Sequence, residues 1–227
     1  CMDKLKAKEV LAHHGLPQTP WIGLHDSELS AASARVADAG LAYPLFVKPA
    51  NLGSSVGVSK VDRPDGLAAA LQLAAAYDEW IVVEEGVPGR ELEVAVLGNA
   101  EPRASLPGEI LATHDFYDYE DKYLEGTAEQ RIPADLPDAV TDEIRRLAVE
   151  AFRALRCEGM ARVDFFYDHG GRGLVVNEVN TIPGFTPISM YPKMWEATGV
   201  PYGELVDELV RLALERHERR AGFSTKR

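Results

Sequence analysis

The chain has 227 residues, 46% hydrophobic and 26% charged, enough for one large domain or two small ones with real cores. Its 24 basic against 36 acidic residues give a net charge of −12, which argues against a general nucleic-acid partner, since a phosphate backbone would be repelled. Cys1 and Cys157 are too few for a disulfide framework or a cysteine zinc site, and no long apolar run or signal-peptide pattern points to a membrane, so a cytoplasmic enzyme or binding domain is expected. In chain order, DKLKAKEVLAHHGLP predicts a helix capped by Asp3, ended by Gly15 and stopped by Pro17. Ser27 to Ala39 predicts a second helix closed by Gly40. LFVKPA and VGVSKV read as strands joined by an NLGSS turn, followed by the alanine-rich helix of PDGLAAALQLAAAYD. WIVVEE reads as a buried strand, Pro88-Gly89 as a turn, and ELEVAVLG as an alternating strand. DAVTDEIRRLAVEAFRAL is an amphipathic helix ending near Cys157. MARVDFFYD and LVVNEVN are a strand pair linked by HGGRG, PYGELVDELVRLALERHERR is the last helix, and AGFSTKR is a frayed tail. The pattern predicts an α+β fold of two subdomains, 1–88 and 89–227, with nucleotide chemistry between them.

The stretch KPANLGSSVGVSKV, residues 48–61, is rich in glycine and serine, a composition that lets backbone N–H groups approach an anion. It lacks GxGxxG and GxxxxGK[ST], and Lys60 falls inside the second predicted strand. Strand leads to strand here, whereas the P-loop and Rossmann turns lead into a helix that receives the phosphate on its N-terminus. A hairpin closing over phosphates as a flap fits better, as in protein kinases, but no HRD or DFG triplet follows. A plain glycine-rich hairpin turn is the competing reading of this stretch alone.

Further along, alternation puts Arg162 and Asp164 on one face of their strand, and Glu178 and Asn180 on one face of theirs. If those strands pair, an arginine, two carboxylates and an amide converge. Such oxygen ligands suit Mg²⁺, which binds through few carboxylates plus substrate phosphates. Each residue singly would fit a solvated strand face or an ordinary ion pair.

KPANLGSSVGVSKV, FYDYEDKY, MARVDFF and NEVNTIPGFTPISMYP, in this order, closely resemble the D-alanine–D-alanine ligase family of the ATP-grasp superfamily. The likeness runs from CMDK to the final helix. It implies an ATP-grasp fold in which a glycine-rich hairpin lid closes over ATP, two α+β subdomains with antiparallel sheets sandwich it, and a separate sheet carries two Mg²⁺ or Mn²⁺ ions. The activity implied is ATP-dependent, ADP-forming ligation of two D-alanine molecules through an acylphosphate, for peptidoglycan precursors.

By resemblance, Lys4 and Lys48 serve the nucleotide phosphates and adenine edge, and Ser54 and Ser55 cover the phosphates. Glu84 to Val87, including Glu85, form the adenine-contacting segment, and Glu91 holds the ribose. Lysine is common at the position of Glu85, and a backbone contact there would survive the change. Asp164, Glu178 and Asn180 match the metal ligands. Arg162 and the Gly184 N–H match the oxyanion hole, while Ser189 and the Met190 amide match the site for the carboxylate of the second D-alanine. Lys122 and Tyr123 lie on a closing loop whose tyrosine favours D-Ala–D-Ala over D-lactate-containing products. Tyr117 and Tyr119 read as packing aromatics, His13, His14, His25 and His114 match no ligand pattern, and Cys157 reads as buried, not reactive.

Complete ligases of this type carry an amino-terminal domain ahead of the CMDK helix. It supplies a glutamate that hydrogen-bonds in a triad with the residues matched by Ser54 and Tyr123, and it helps bind the first D-alanine. A chain starting at Cys1 is therefore expected to be a fragment, or a nucleotide-binding core lacking part of its acceptor site, that binds ATP–Mg²⁺ but ligates D-alanine poorly alone. Two other readings are an ATP-grasp carboxylate–amine ligase with another acceptor and a non-catalytic ATP-binding module. Homodimers are common in the family, though no single stretch here indicates one.

Overall fold

Asp3 starts the first helix: its carboxylate accepts the Lys6 amide at 2.9 Å, and α1 runs Lys4–His13 before Gly15, at φ +72°, turns the chain. The computed structural model describes residues 1–111 and 129–224. It divides into two units, one built on Cys1–Arg90 and Phe166–Glu178, the other on Glu91–Ile110, Gln130–Phe165 and the chain from Val179.

In the first unit, β1 (Trp21–His25), β2 (Leu45–Pro49), β3 (Ser59–Val61) and β4 (Trp80–Glu85) form an antiparallel sheet in the order β1-β4-β2-β3. The segment expected as one helix from Ser27 splits into a 3₁₀ turn, Asp26–Ala31, and α2, Ala32–Asp38. His25 caps that turn reciprocally with Glu28, which fixes a tight local geometry before the α-helix begins. α3, Leu67–Ala75, follows a short 3₁₀ turn at Pro64–Gly66.

Strand alternation decides what each face of this sheet does. Leu45, Val47, Ile81 and Val83 join Leu24, Val36, Leu67 and Leu71 in the main core. The residues between them face the other way: Val82 packs with Leu5 of α1 and with Ala50. Gly23 permits this approach, because a Cβ there would lie 2.5 Å from Leu5 Cδ1. Lys48 and Glu84 share that second face, so the register that buries valines on one side delivers charge beneath α1 on the other.

The other sheet, among the described residues, has the order β10-β9-β5-β7-β8, with β6 beside β5. Its strands are β5 (Arg90–Gly98), β6 (Arg103–Ala104), β7 (Gly108–Leu111), β8 (Glu129–Arg131), β9 (Gly159–Asp168) and β10 (Gly173–Asn180). The sequence of β5 alternates, yet from Leu92 to Gly98 every residue is buried, since a central strand is covered on both faces. α4 (Asp138–Ala154) buries Ile144, Leu147, Ala151 and Phe152. α6 (Tyr202–Ala221) is the last helix. α5 (Met190–Ala197), a helix that the sequence pattern does not announce, buries Met190, Tyr191, Met194 and Trp195, and the Tyr191 hydroxyl donates to the Val96 carbonyl at 2.8 Å. Among the described residues no helix is long and apolar enough to cross a membrane.

Candidate functional site

The first unit gathers lysines around one carboxylate. Lys4 and Lys8 stand four residues apart on α1, hence on one helical face, and Lys48 rises from β2 on the sheet face that α1 covers. Lys8 Nζ lies 2.6 Å from Glu84 Oε2, Lys48 Nζ pairs with Glu84 Oε1, and the Thr19 hydroxyl donates to Oε2 at 3.3 Å. Burial would raise the pKa of Glu84, but the charges of Lys48 and Lys8 outweigh it and hold the carboxyl down to about 2. Lys48 also reaches Asn177 Oδ1 at 3.5 Å, Lys4 donates to the Leu52 carbonyl, and Lys4 Nζ lies 4.0 Å from Glu178. So Lys4, Lys48, Glu84 and Glu178 are neighbours, with Lys8 and Asn177 joining them.

Between β2 and β3 the chain makes a glycine-serine loop in an uncommon conformation. Ser54 and Ser55 have φ of +55° and +58°, and Gly57 has +72°. Successive residues of this kind turn backbone N–H groups toward a common side, a geometry suited to anions. The loop's root is fixed: Asp78 Oδ2 accepts both the backbone and side-chain N–H of Asn51 at 2.8 Å. A Cβ on Gly57 would lie 2.7 Å from the Tyr77 ring and 2.8 Å from the Pro49 ring. Gly57→Ala is therefore expected to cost about 1–3 kcal/mol through backbone strain and crowding, read by chemical denaturation, and to raise proteolytic cutting between Gly53 and Val58. Unchanged stability would mean that the loop does not need this conformation.

Glu85 follows Glu84 but points to the opposite sheet face. It accepts the Ala42 amide at 2.8 Å and pairs with Arg172 of the β9–β10 turn. The carboxylate is thus held locally, while its backbone N–H donates to the Pro20 carbonyl at 3.0 Å. Val87 is half-buried just beyond the strand, and Glu91 lies on β5 opposite Ile110.

In the second unit, Arg162 and Asp164 alternate onto one face of β9. The guanidinium donates from Nε and one terminal nitrogen to the two Asp164 oxygens, both at 2.7 Å, a bidentate pair. Arg162 Nε also lies 3.3 Å from Glu93 of β5, and the Asn180 amide donates to Asp164 at 2.9 Å. Further on, the Ser189 hydroxyl accepts the Thr186 amide at 3.1 Å and contacts the Thr186 hydroxyl at 2.9 Å. Gly184 faces that same serine, since a Cβ on it would lie 3.1 Å from Ser189 Oγ. Met190 begins α5 and is buried. Lys122 and Tyr123, with Tyr117, Tyr119 and His114, lie outside the described residues. Cys157 is half-buried, and burial pushes its thiol pKa up, which opposes thiolate chemistry.

A family model described as D-ala D-ala ligase C-terminus matches residues 10–211. The chain belongs to that family. A D-alanine--D-alanine ligase of Solibacter usitatus is 54% identical over 221 residues, covering 96% of this chain and 66% of its own length. The solved D-alanine-D-alanine ligase from Coxiella burnetii superposes with a TM-score of 0.85 at 41% identity, over 97% of this chain and 59% of that one. The VanG D-Ala:D-Ser ligase from Enterococcus faecalis gives 0.85 at 37% identity, over 93% of this chain and 61% of that one. The chain thus spans roughly three fifths to two thirds of each relative. Its fold is the α+β ATP-grasp fold, with antiparallel strand pairing.

Within this D-ala D-ala ligase C-terminus chain, the sequence reading missed Lys8, Glu93, Asn177 and Arg172. Lys8 had a usable signal in its four-residue spacing from Lys4. The others contact their partners across distant parts of the chain, and no local pattern announces them.

Proposed function

We propose that this chain carries the nucleotide and D-alanine chemistry of an ATP-dependent, ADP-forming D-alanine–D-alanine ligase supplying peptidoglycan precursors in the cytoplasm. The observation that carries this reading is the hydrogen-bonded Arg162–Asp164–Asn180 face in a chain of this family. One D-alanine carboxylate would accept the γ-phosphoryl group of ATP, and the amine of a second D-alanine would displace phosphate from the acylphosphate. Lys4 and Lys48, with the amides and hydroxyls of Ser54 and Ser55, would bind the phosphates. The 84–87 backbone would meet adenine, with Glu91 on the ribose and Lys122 on the closing loop.

Asp164, Glu178 and Asn180 offer two carboxylates and an amide oxygen, a donor set that fits Mg²⁺ or Mn²⁺. Arg162 donates to both Asp164 oxygens and Asn180 to one of them, three hydrogen bonds on a carboxylate with about four acceptor sites, so a metal could be held without breaking the pair. A bound divalent ion would neutralise charge on the phosphates. Arg162 and the Gly184 N–H would stabilise the oxyanion formed as the amine attacks, Ser189 and the Met190 amide would hold the second D-alanine by its carboxylate, and Tyr123 would help orient the reacting groups. In this reading 1–88 bears the lid and 89–227 the metal and acceptor groups.

Phosphate release with ATP, Mg²⁺ and a panel of D- and L-amino acids tests the reading. Release with D-alanine alone supports it, provided that D-alanyl-D-alanine is the product. A second reading, ligation to another acceptor, is favoured by the D-Ala:D-Ser neighbour and would show release that depends on D-serine. No release from a protein that spans the full length of its relatives and binds ATP would leave a nucleotide-binding module and overturn both.

A further inference from the structure

We propose that Lys8 is a positioning residue for nucleotide binding, acting through Glu84 to keep Lys48 an effective cation. The inference rests on the reading of Lys48 as a lysine for the nucleotide phosphates. Lys48 is paired with a carboxylate, and a simple lysine–glutamate pair has no net charge to offer an incoming polyphosphate. Lys8 occupies the other Glu84 oxygen at 2.6 Å, so the three side chains together carry one net positive charge. Lys8 cannot itself be a phosphate ligand of the resting protein. Its side chain is only 4% exposed against 15% for Lys48, and its ammonium nitrogen is shut off from solvent. Its charge must therefore be felt through Glu84 and across the short distance to Lys48, in surroundings where screening is weak.

The geometry explains why this arrangement is specific to the site. Glu84 stands diagonally across the β4–β2 pair from Lys48, since Phe46 is opposite Glu84 and Lys48 is two residues on. Lys8 arrives from above the sheet, one helical turn beyond Lys4, whose ammonium lies 4.0 Å from Glu178. The Thr19 hydroxyl on Oε2 completes the shell around the carboxylate, which is thereby fixed in place instead of swinging with Lys48. A buried lysine with no access to solvent is costly, and balancing Glu84 accounts for its presence.

The test compares binding of ADP and adenosine, by calorimetry, to the wild-type chain, Lys8→Met and the double variant Lys8→Met/Glu84→Gln. Lys8→Met leaves Glu84 and Lys48 as a neutral pair, so ADP affinity is expected to fall about tenfold or more while adenosine affinity stays within about twofold. The double variant removes one charge of each sign, returns the net charge to that of the wild type, and is expected to restore the ratio of ADP to adenosine affinity, a ratio in which any change at the adenine contact cancels. Equal losses for ADP and adenosine would mean that Lys8 serves only packing and would overturn the inference. So would a double variant whose ratio of ADP to adenosine affinity stays at about a tenth of the wild-type ratio or below, whether or not the single variant folds. A wild-type chain that binds neither ligand would instead overturn the nucleotide reading on which the inference rests.

Discussion

Replacing Glu84 with alanine is expected to destabilise the protein by about 3–5 kcal/mol, a cost typical of breaking a buried ion pair by removing one partner. The reason lies in what is left behind. Lys8 is 3% exposed and has Glu84 as its ion-pair partner, so the variant strands an ammonium group under α1 with no carboxylate to balance it. Lys48 suffers less, because Asn177 lies within its reach at 3.5 Å. The pH dependence carries the same information. Glu84 has its folded pKa depressed from 4.5 to about 2, so its contribution is fully present above about pH 4.5 and is lost as pH falls through 2. At about 1.4 kcal/mol per pH unit, that window is worth roughly 3–4 kcal/mol. Urea denaturation at neutral pH and at steps between pH 5 and 2 would show a steep acid loss in the wild type that flattens in Glu84→Gln. A loss below about 1 kcal/mol for Glu84→Ala at neutral pH would remove Glu84 from the centre of this cluster.

Much of this was legible from local pattern, and the reason is physical. The period of two in LFVKP and WIVVEE states which residues enter the core and which face α1, so the placement of Lys48 and Glu84 on one face follows from burying Val47 and Val83 on the other. The Arg162/Asp164 face follows from the same rule on β9. Other features were hidden because they are decided by the tertiary fold. Nothing near Glu85 indicates that Arg172, 87 positions later, will pair with it. The buried side of β5 looks half-polar in sequence because Glu93 is there to meet Arg162, a partner in another strand. The break after His25 escaped a helical reading of Ser27–Ala39, since His25 and Glu28 cap a 3₁₀ turn that residue propensity does not distinguish from the start of an α-helix. Local periodicity reports burial, whereas ion-pair partners are chosen by the packing of distant segments.

Arg162→Ala is expected to lower turnover by about 100- to 1000-fold in ligation-competent protein, with ATP affinity changed far less. The asymmetry follows from where the guanidinium sits. Two 2.7 Å hydrogen bonds to Asp164 and the nearby Glu93 carboxylate fix its plane before any substrate arrives, and donors held in place need no reorganisation when charge develops in the transition state. Arg162→Lys separates charge from geometry: it restores the cation but not the fork, so it should recover only part of the lost rate. Glu178→Ala offers the contrast: on the proposal that Glu178 holds a metal, its loss should lower turnover severely and raise the Mg²⁺ concentration needed for the activity that remains. Steady-state phosphate release with D-alanine, measured across ATP and Mg²⁺ concentrations, separates the two effects. Wild-type turnover in Arg162→Ala would show that β9 does not supply the oxyanion donor, and the bidentate pair with Asp164 would then be a structural ion pair between two half-buried charges.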